Sequence, residues 1–218
     1  MKDIIPALSV GLTQVVIGHP FDTAKVLIQN QKKWTGLPIK SYYRGWKYPM
    51  FSSVLFNCTL FPVYEEVFKY TNSTFFSGAV AGAIVSPIDY MLDTFKIQKQ
   101  MKHKTTLFKR PYYGILQTFN RQISSTSLYF GTYYYLKERN YNTLIAGGTA
   151  GLTQWTLTYP LDVIRSRQIA QQITMKEAIN MGNLWKGYYV CAFRAVLVNS
   201  ATFWVYEKFK KLIPNKII

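Results

Sequence analysis

The chain is poor in acid and in cysteine, and it lacks any long apolar run. Only 10 of its 218 residues are Asp or Glu against 26 Lys or Arg, a formal net charge of +16. That excess points to a polyanion, an acidic membrane face or an anionic small molecule as partner. The two cysteines, Cys58 and Cys191, are too few for a disulfide framework, and both sit in apolar helical runs, where buried free thiols are expected. No stretch of twenty residues is uniformly apolar and the mean hydropathy is −0.02, so hydropathy alone gives either a basic soluble protein or a set of weak spans. Near Lys2 and Asp3 there is no Arg- and Ser-rich presequence and no cleavage site, so a targeting signal is expected to be internal. A phosphate-binding P-loop is missing. His19 and His103 lack cysteine or carboxylate partners at metal-ligand spacing and read as packing or surface positions. No metal, no cofactor and no enzymatic activity is expected.

What the chain does contain is an internal repeat. Pro20-Phe21-Asp22-Thr23-Ala24-Lys25, Pro87-Ile88-Asp89 and Pro160-Leu161-Asp162-Val163-Ile164-Arg165-Ser166-Arg167 each follow an apolar run with small residues four apart: Ala7/Gly11, Gly78/Gly82, Gly147/Gly151. Small pairs at that spacing permit close helix contact in membrane bundles. An acid two after the proline and a base three further on share a face of the helix beyond a proline kink, so Pro20, Pro87 and Pro160 mark three kinks. A loop glycine follows each proline after 25, 27 and 27 residues, at Gly45, Gly114 and Gly187. Sixteen residues past each glycine stands Phe61, Phe130 or Phe203, and nineteen past it Tyr64, Tyr133 or Tyr206. Aromatics at two fixed offsets in three copies establish the register.

Each unit carries two long helices, giving repeats at 1–70, 71–140 and 141–218 within one integral domain. Expected helices run from Ile4 to about Gln31, from about Trp46 to Tyr70, from Phe75, after Gly114, from near Asn142, and after Gly187 to about Lys211. Six spans with both termini on one side follow, the repeats being parallel. Sixteen bases fall in the within-repeat loops and eight on the opposite side, which places those loops on the inner side. The remaining two, Arg121 and Arg194, lie mid-helix, each seven residues past its loop glycine. A buried arginine in a span is costly unless it faces protein or a wet cavity, so an anion site is the expectation.

These motifs resemble those of the mitochondrial carrier family over nearly the whole chain. The signature P-x-[DE]-x-x-[KR]-x-[KR] followed by aromatic-[KR]-G is met best by Pro160, Asp162, Arg165, Arg167 and Trp185-Lys186-Gly187. The closing [FY]-[DE]-x-x-[KR] is met by Tyr206-Glu207 with Lys210. The resemblance implies an all-α membrane protein in which six helices in three pseudo-threefold-related pairs enclose a central cavity. It implies a monomeric, multi-pass carrier of the mitochondrial inner membrane. Its partners would be an anionic small molecule and the lipid bilayer, with cardiolipin as a candidate lipid, and no nucleic acid.

By the same resemblance, Asp89 would pair with Arg165 and Asp162 with Lys25 at a matrix gate braced by Gln29, while Asp22 would face Leu92 and lack a base. At the cytoplasmic gate Glu65 would pair with Lys137. There Tyr134 stands opposite Lys210 in place of an acid, and Phe68 opposite Glu207 in place of a base. Such pairs at a wet cavity edge are expected to contribute about 0–1 kcal/mol each. Two of three matrix pairs against one cytoplasmic pair imply a matrix-closed, outward-open resting state. They also imply that charge reversal at Asp162 does more damage than at Asp22.

Short loops leave the matrix surface helices trimmed, the third retaining a short one around Met175 to Ile179. Substrate would be held at Ser52-Ser53, Arg121-Gln122 and Arg194-Ala195, the guanidiniums binding phosphate or carboxylate. Arginine followed by glutamine resembles keto-acid and carboxylate carriers, whereas the spread of bases suits a phosphate ester. On balance the expectation is a nucleotide or deoxynucleotide exchanger working by alternating access, with a di- or tricarboxylate or keto-acid carrier as the alternative. A basic, aromatic-rich nucleic-acid-binding protein is the competing class. Alkaline carbonate separates these: it leaves a six-span protein in the membrane pellet and releases a nucleic-acid binder to the supernatant.

Overall fold

A computed structural model describes residues 4–101, 113–195, 197–198 and 201. The described residues are helical, in the order α1 (Ile4–Gln29), α2 (Ile39–Tyr42), α3 (Lys47–Thr71), α4 (Thr74–Gln100), α5 (Ile115–Glu138), α6 (Thr143–Gln171) and α7 (Met175–Asn180). Residues 188–195 are also helical. The five long helices run 24 to 29 residues, about 36 Å or more at 1.5 Å per residue, enough to cross a hydrocarbon core of about 30 Å. The expected boundaries within the described residues fall within two residues of the observed ones, except that the basic loop expected to begin at Lys96 starts only after α4 ends at Gln100. Helices α1, α4 and α6 run on through Pro20, Pro87 and Pro160.

Local chemistry sets the breaks. Asn72 adopts a left-handed conformation, φ 50°, that ends α3, and the Ser73 hydroxyl accepts from the Phe76 N–H to start α4. Gly45, Gly114 and Gly187 have φ of 80°, 83° and 90°, so the loop glycine of each repeat turns the chain through a region closed to most side chains. A side chain of the preceding long helix then ties that loop down. Thr23 Oγ1 donates to the Tyr42 carbonyl at 2.7 Å, Tyr90 Oη to that of Tyr113 at 2.9 Å, and Tyr159 Oη to that of Lys186 at 3.3 Å. The short α7 carries a reciprocal capping box between Thr174 and Glu177.

Helix α4 packs along both α3 and α5, and α5 along α6, while α1 meets α2, α3, α4 and α6 more lightly. The distribution of polarity is inverted relative to a water-soluble bundle. Helix α4 buries Ser86, Asp89, Thr94, Gln98 and Gln100 while exposing Phe75, Phe76, Ile84 and Met91. Helix α6 buries Asp162, Arg165, Ser166, Arg167 and Gln168 while exposing Ile145, Leu152 and Leu157. Polar groups inside and apolar groups outside suit a lipid surround with a polar interior. Among the described helices only α4 is apolar enough by composition to count as a span, because the inward faces of the others dilute their hydropathy.

Two expectations are corrected. Cys58 is exposed on α3 rather than buried, whereas Cys191 is buried. The small pairs also differ in use. A Cβ built on Gly78 or Gly82 would collide with backbone of Thr126, Ser127 or Gln122 on α5, but among the described residues nothing lies within 4 Å of one built on Gly147 or Gly151. Gly82→Val should therefore lower the melting midpoint of the detergent-solubilised protein, by about 1–3 kcal/mol of stability as overpacking does. Gly147→Ala should leave that midpoint within a degree or two.

Candidate functional site

Between the proline-containing helices α1, α4 and α6 lies a layer of buried charge. Lys25 Nζ meets Asp162 Oδ2 at 2.7 Å, Arg165 meets Asp89 at 3.4 Å and Asp93 at 2.7 Å, and Lys96 Nζ meets Asp22 Oδ2 at 3.1 Å. Gln29 donates to Asp162 at 2.9 Å and to the Tyr159 hydroxyl at 3.4 Å, and Lys25 also sits 4.6 Å over the Trp155 ring. A cavity of about 60 Å³ remains at the centre, lined by Asp22, Lys25, Gln29, Asp93, Lys96 and Asp162.

The expectation that Asp22 lacks a base fails. Leu92 does stand at the signature position, but Lys96, one turn further along the same face of α4, reaches Asp22 instead. The sequence carried a signal for this: Lys96 follows Pro87 by nine residues, as Gln29 follows Pro20. Asp93 was likewise legible, being one turn from Asp89 and so on its face of α4. The assumed energetics change too. The side chains of Lys25, Asp162, Arg165 and Asp89 are 3–11% exposed, so these are buried pairs, and removing one partner should cost about 3–5 kcal/mol rather than a fraction of one.

The mid-helix arginines join this layer. Arg121 lies 2.9 Å from Asp89 and 3.9 Å from Asp162, and Arg194 Nε lies 2.6 Å from Asp22 Oδ1. Both therefore have acids within reach. Around them the five expected contact residues divide between two cavities. Arg121 and Gln122 line a space of about 390 Å³ with Asp89, Gln154, Trp155 and an aromatic wall that includes Phe56, Phe61 and Phe130. Ser52, Ser53 and Arg194 line a space of about 190 Å³ with His19, Asp22 and Lys96.

At the opposite end, Glu65 and Lys137 form no salt bridge among the described residues; Lys137 instead donates to Thr143 Oγ1 at 3.1 Å. Tyr134 stacks on Tyr64 with centroids 5.9 Å apart, and Tyr64 on Phe130 at 3.8 Å, joining α5 to α3 by aromatic contact. Glu207 and Lys210 lie outside the described residues, as does His103. Arg167, the second base of the best signature, is fully buried and donates to the carbonyls of Gln29, Ala178 and Asn183. It clamps the ends of α1 and α7 and takes no part in the charge layer.

A family model described as mitochondrial carrier protein matches residues 137–217. Over 266 aligned positions the chain is 26% identical to the mitochondrial arginine transporter BAC2 of Arabidopsis thaliana, covering 94% of this chain and 89% of that protein. It is 27% identical to mitochondrial substrate carrier family protein L of Dictyostelium discoideum, with 98% and 96% covered. It is also 26% identical to the mitochondrial ornithine transporter 1 of Saccharomyces cerevisiae, with 96% and 95% covered. The chain is similar to mitochondrial carriers over nearly its whole length, and its third repeat matches their family model. That similarity marks a multi-pass transporter of the mitochondrial inner membrane rather than an enzyme and implies a six-helix membrane fold.

Because Asp22 has two basic partners, Asp22→Lys should abolish uptake into proteoliposomes as fully as Asp162→Lys. Lys96→Ala should match Lys25→Ala in lowering both transport and the detergent melting midpoint, whereas Leu92→Ala should retain most of both.

Proposed function

We propose that this carrier moves an amino acid through a cavity enclosed by three two-helix repeats, 1–70, 71–140 and 141–218, acting as a monomer with six spans. In this reading the charge layer of Asp22, Lys25, Gln29, Asp89, Lys96, Asp162 and Arg165 is the matrix gate, and Glu65, Lys137, Tyr134, Glu207 and Lys210 belong to the cytoplasmic one. A formed ion-pair layer at one end, with Glu65 and Lys137 apart at the other, fits an outward-open state at rest.

The observation that carries the substrate class is that each mid-span arginine is already bonded to an aspartate: Arg121 to Asp89 at 2.9 Å and Arg194 to Asp22 at 2.6 Å. A guanidinium–carboxylate couple is the complement of a zwitterion. The substrate carboxylate takes the guanidinium, the substrate ammonium takes the aspartate thereby released, and no buried charge is left without a partner. A nucleotide, with three or four negative charges, suits this site less well. The bases Lys25, Lys96, Arg121, Arg165 and Arg194 exceed the acids Asp22, Asp89, Asp93 and Asp162 by one, so most of its phosphate charge would be buried uncompensated. The 390 Å³ cavity lies in the usual range for small metabolites, roughly 300–1,000 Å³. Relatives at 26% identity named as arginine and ornithine transporters agree with the class. The excess of one positive charge keeps a keto acid or carboxylate as the second reading.

Uptake into proteoliposomes preloaded with arginine, ornithine, glutamate, malate, 2-oxoglutarate, ADP or dATP tests this. Amino-acid exchange should exceed nucleotide exchange at least tenfold, and Arg121→Ala and Arg194→Ala should each reduce it by tenfold or more. Faster nucleotide exchange, or wild-type rates in both variants, would overturn the reading.

A further inference from the structure

The smaller cavity contains two buried polar atoms without a hydrogen-bond partner among the described residues, and they are of opposite kind. One is Arg194 Nε, a donor held against Asp22 as an ion pair but outside hydrogen-bond geometry; the other is His19 Nδ1. Histidine 19 is 1% exposed and stands immediately before Pro20 on α1. Its Nε2 lies 2.9 Å from the Arg44 carbonyl oxygen. A carbonyl can only accept, so Nε2 carries the proton and Nδ1 presents a lone pair. Buried acceptors are nearly always satisfied in native proteins, and one left open beside a cavity marks a missing donor.

The charged neighbours among the described residues are directed elsewhere, Lys96 to Asp22 Oδ2 and Arg194 to Asp22 Oδ1. Ser53 Oγ donates to the Met50 carbonyl at 3.0 Å. On the remaining side the ring faces Tyr43 at 6.3 Å, whose hydroxyl donates to the Val16 carbonyl. The charged groups around His19 are therefore Asp22 on its own helix, Lys96 on α4 and Arg194 on the helix at 188–195, with Arg44 offering its backbone.

We propose that His19 is a substrate-contacting residue whose Nδ1 accepts a hydrogen bond from the α-ammonium of the transported amino acid while Arg194 holds the carboxylate. The proposal rests on the amino-acid reading above and adds to it the group that distinguishes an amino acid from the same acid without its amine. Asp22, released on one oxygen when Arg194 takes the carboxylate, offers the ammonium a second acceptor while Lys96 stays on its other oxygen. This role was not legible from the chain alone, since a histidine without metal-ligand neighbours is usually a packing residue.

The test compares ornithine with 5-aminopentanoate and glutamate with glutarate, each pair differing by the α-amine alone, as competitors of amino-acid uptake by the reconstituted protein. His19→Gln puts an amide near the Nε2 position, keeping the bond to Arg44 and removing the acceptor; His19→Asn puts an amide oxygen near the Nδ1 position. Wild type should prefer the amine-bearing member at least tenfold in apparent KM. His19→Gln should lose most of that preference with maximal rate within about threefold, and His19→Asn should regain part of it. If wild type discriminates and His19→Gln discriminates equally, the role of His19 is refuted while the amino-acid reading stands. If wild type itself fails to discriminate, both fall.

Discussion

Charge cannot be placed in the middle of a lipid-facing bundle unless each group meets a partner. In this carrier the charges meet in two neighbouring networks, one of Lys25, Asp162, Arg121, Asp89, Arg165 and Asp93, the other of Lys96, Asp22 and Arg194. Burial makes each contact strong and each loss expensive, since a stranded charge in low dielectric retains its desolvation cost without its compensation. The positions of the helices follow from this constraint. Helix α1 packs more lightly than the other long helices, through Val26 and Leu27 among the described residues, and it is also tied in by Asp22 to α4, by Lys25 and Gln29 to Asp162, and by Asn30 to Ser166 at 3.1 Å.

In the proposed reading the same layer links substrate binding to movement. Arg121 and Arg194 reach from the cavities into the charge layer, so a ligand that claims either guanidinium takes a partner from Asp89 or Asp22. That aspartate then needs another cation, and an ammonium on the ligand is one that arrives in the same step. A substrate of matching charge can loosen the layer at little net cost. One that only removes the guanidinium leaves a buried carboxylate behind, a penalty of several kcal/mol. Selectivity and gating thus draw on the same contacts.

Helices and repeat were legible in the sequence because they are written in residues with local, geometry-fixed roles. The glycines at 45, 114 and 187 all require positive φ, and the serine after Asn72 caps a helix wherever it is folded. The Lys25–Asp162 and Arg165–Asp89 contacts were legible by family resemblance for the same reason: the spacing dictates the face. Pairing across helices was not fully legible, because a side chain can answer from one turn away. Lys96 did so where Leu92 stood, and Asp93 joined Asp89 on Arg165. Equivalent positions also diverge: Phe61 is 47% exposed and Phe130 is 4% exposed although both stand sixteen residues past their glycine. A repeat gives the register of the backbone, while the neighbours of each copy decide what its side chain does.

The two ends of the bundle are held by different physics, and that difference bears on how it opens. At the kinked end, ion pairs must be separated, and the cost falls as water enters, because a rising dielectric weakens the pairs and hydrates the charges at once. Opening there is self-promoting once begun. At the other end Tyr64, Phe68, Phe130 and Tyr134 stack across α3 and α5, and their separation exposes apolar surface that water does not reward. Salt reaches the first end only after water has entered and hardly touches the second. An alternating-access carrier built this way has one end that switches abruptly and another that slides. The abrupt end is where the arginines proposed to bind substrate are attached, so in that reading the ligand acts on the element most able to respond to a small change in charge.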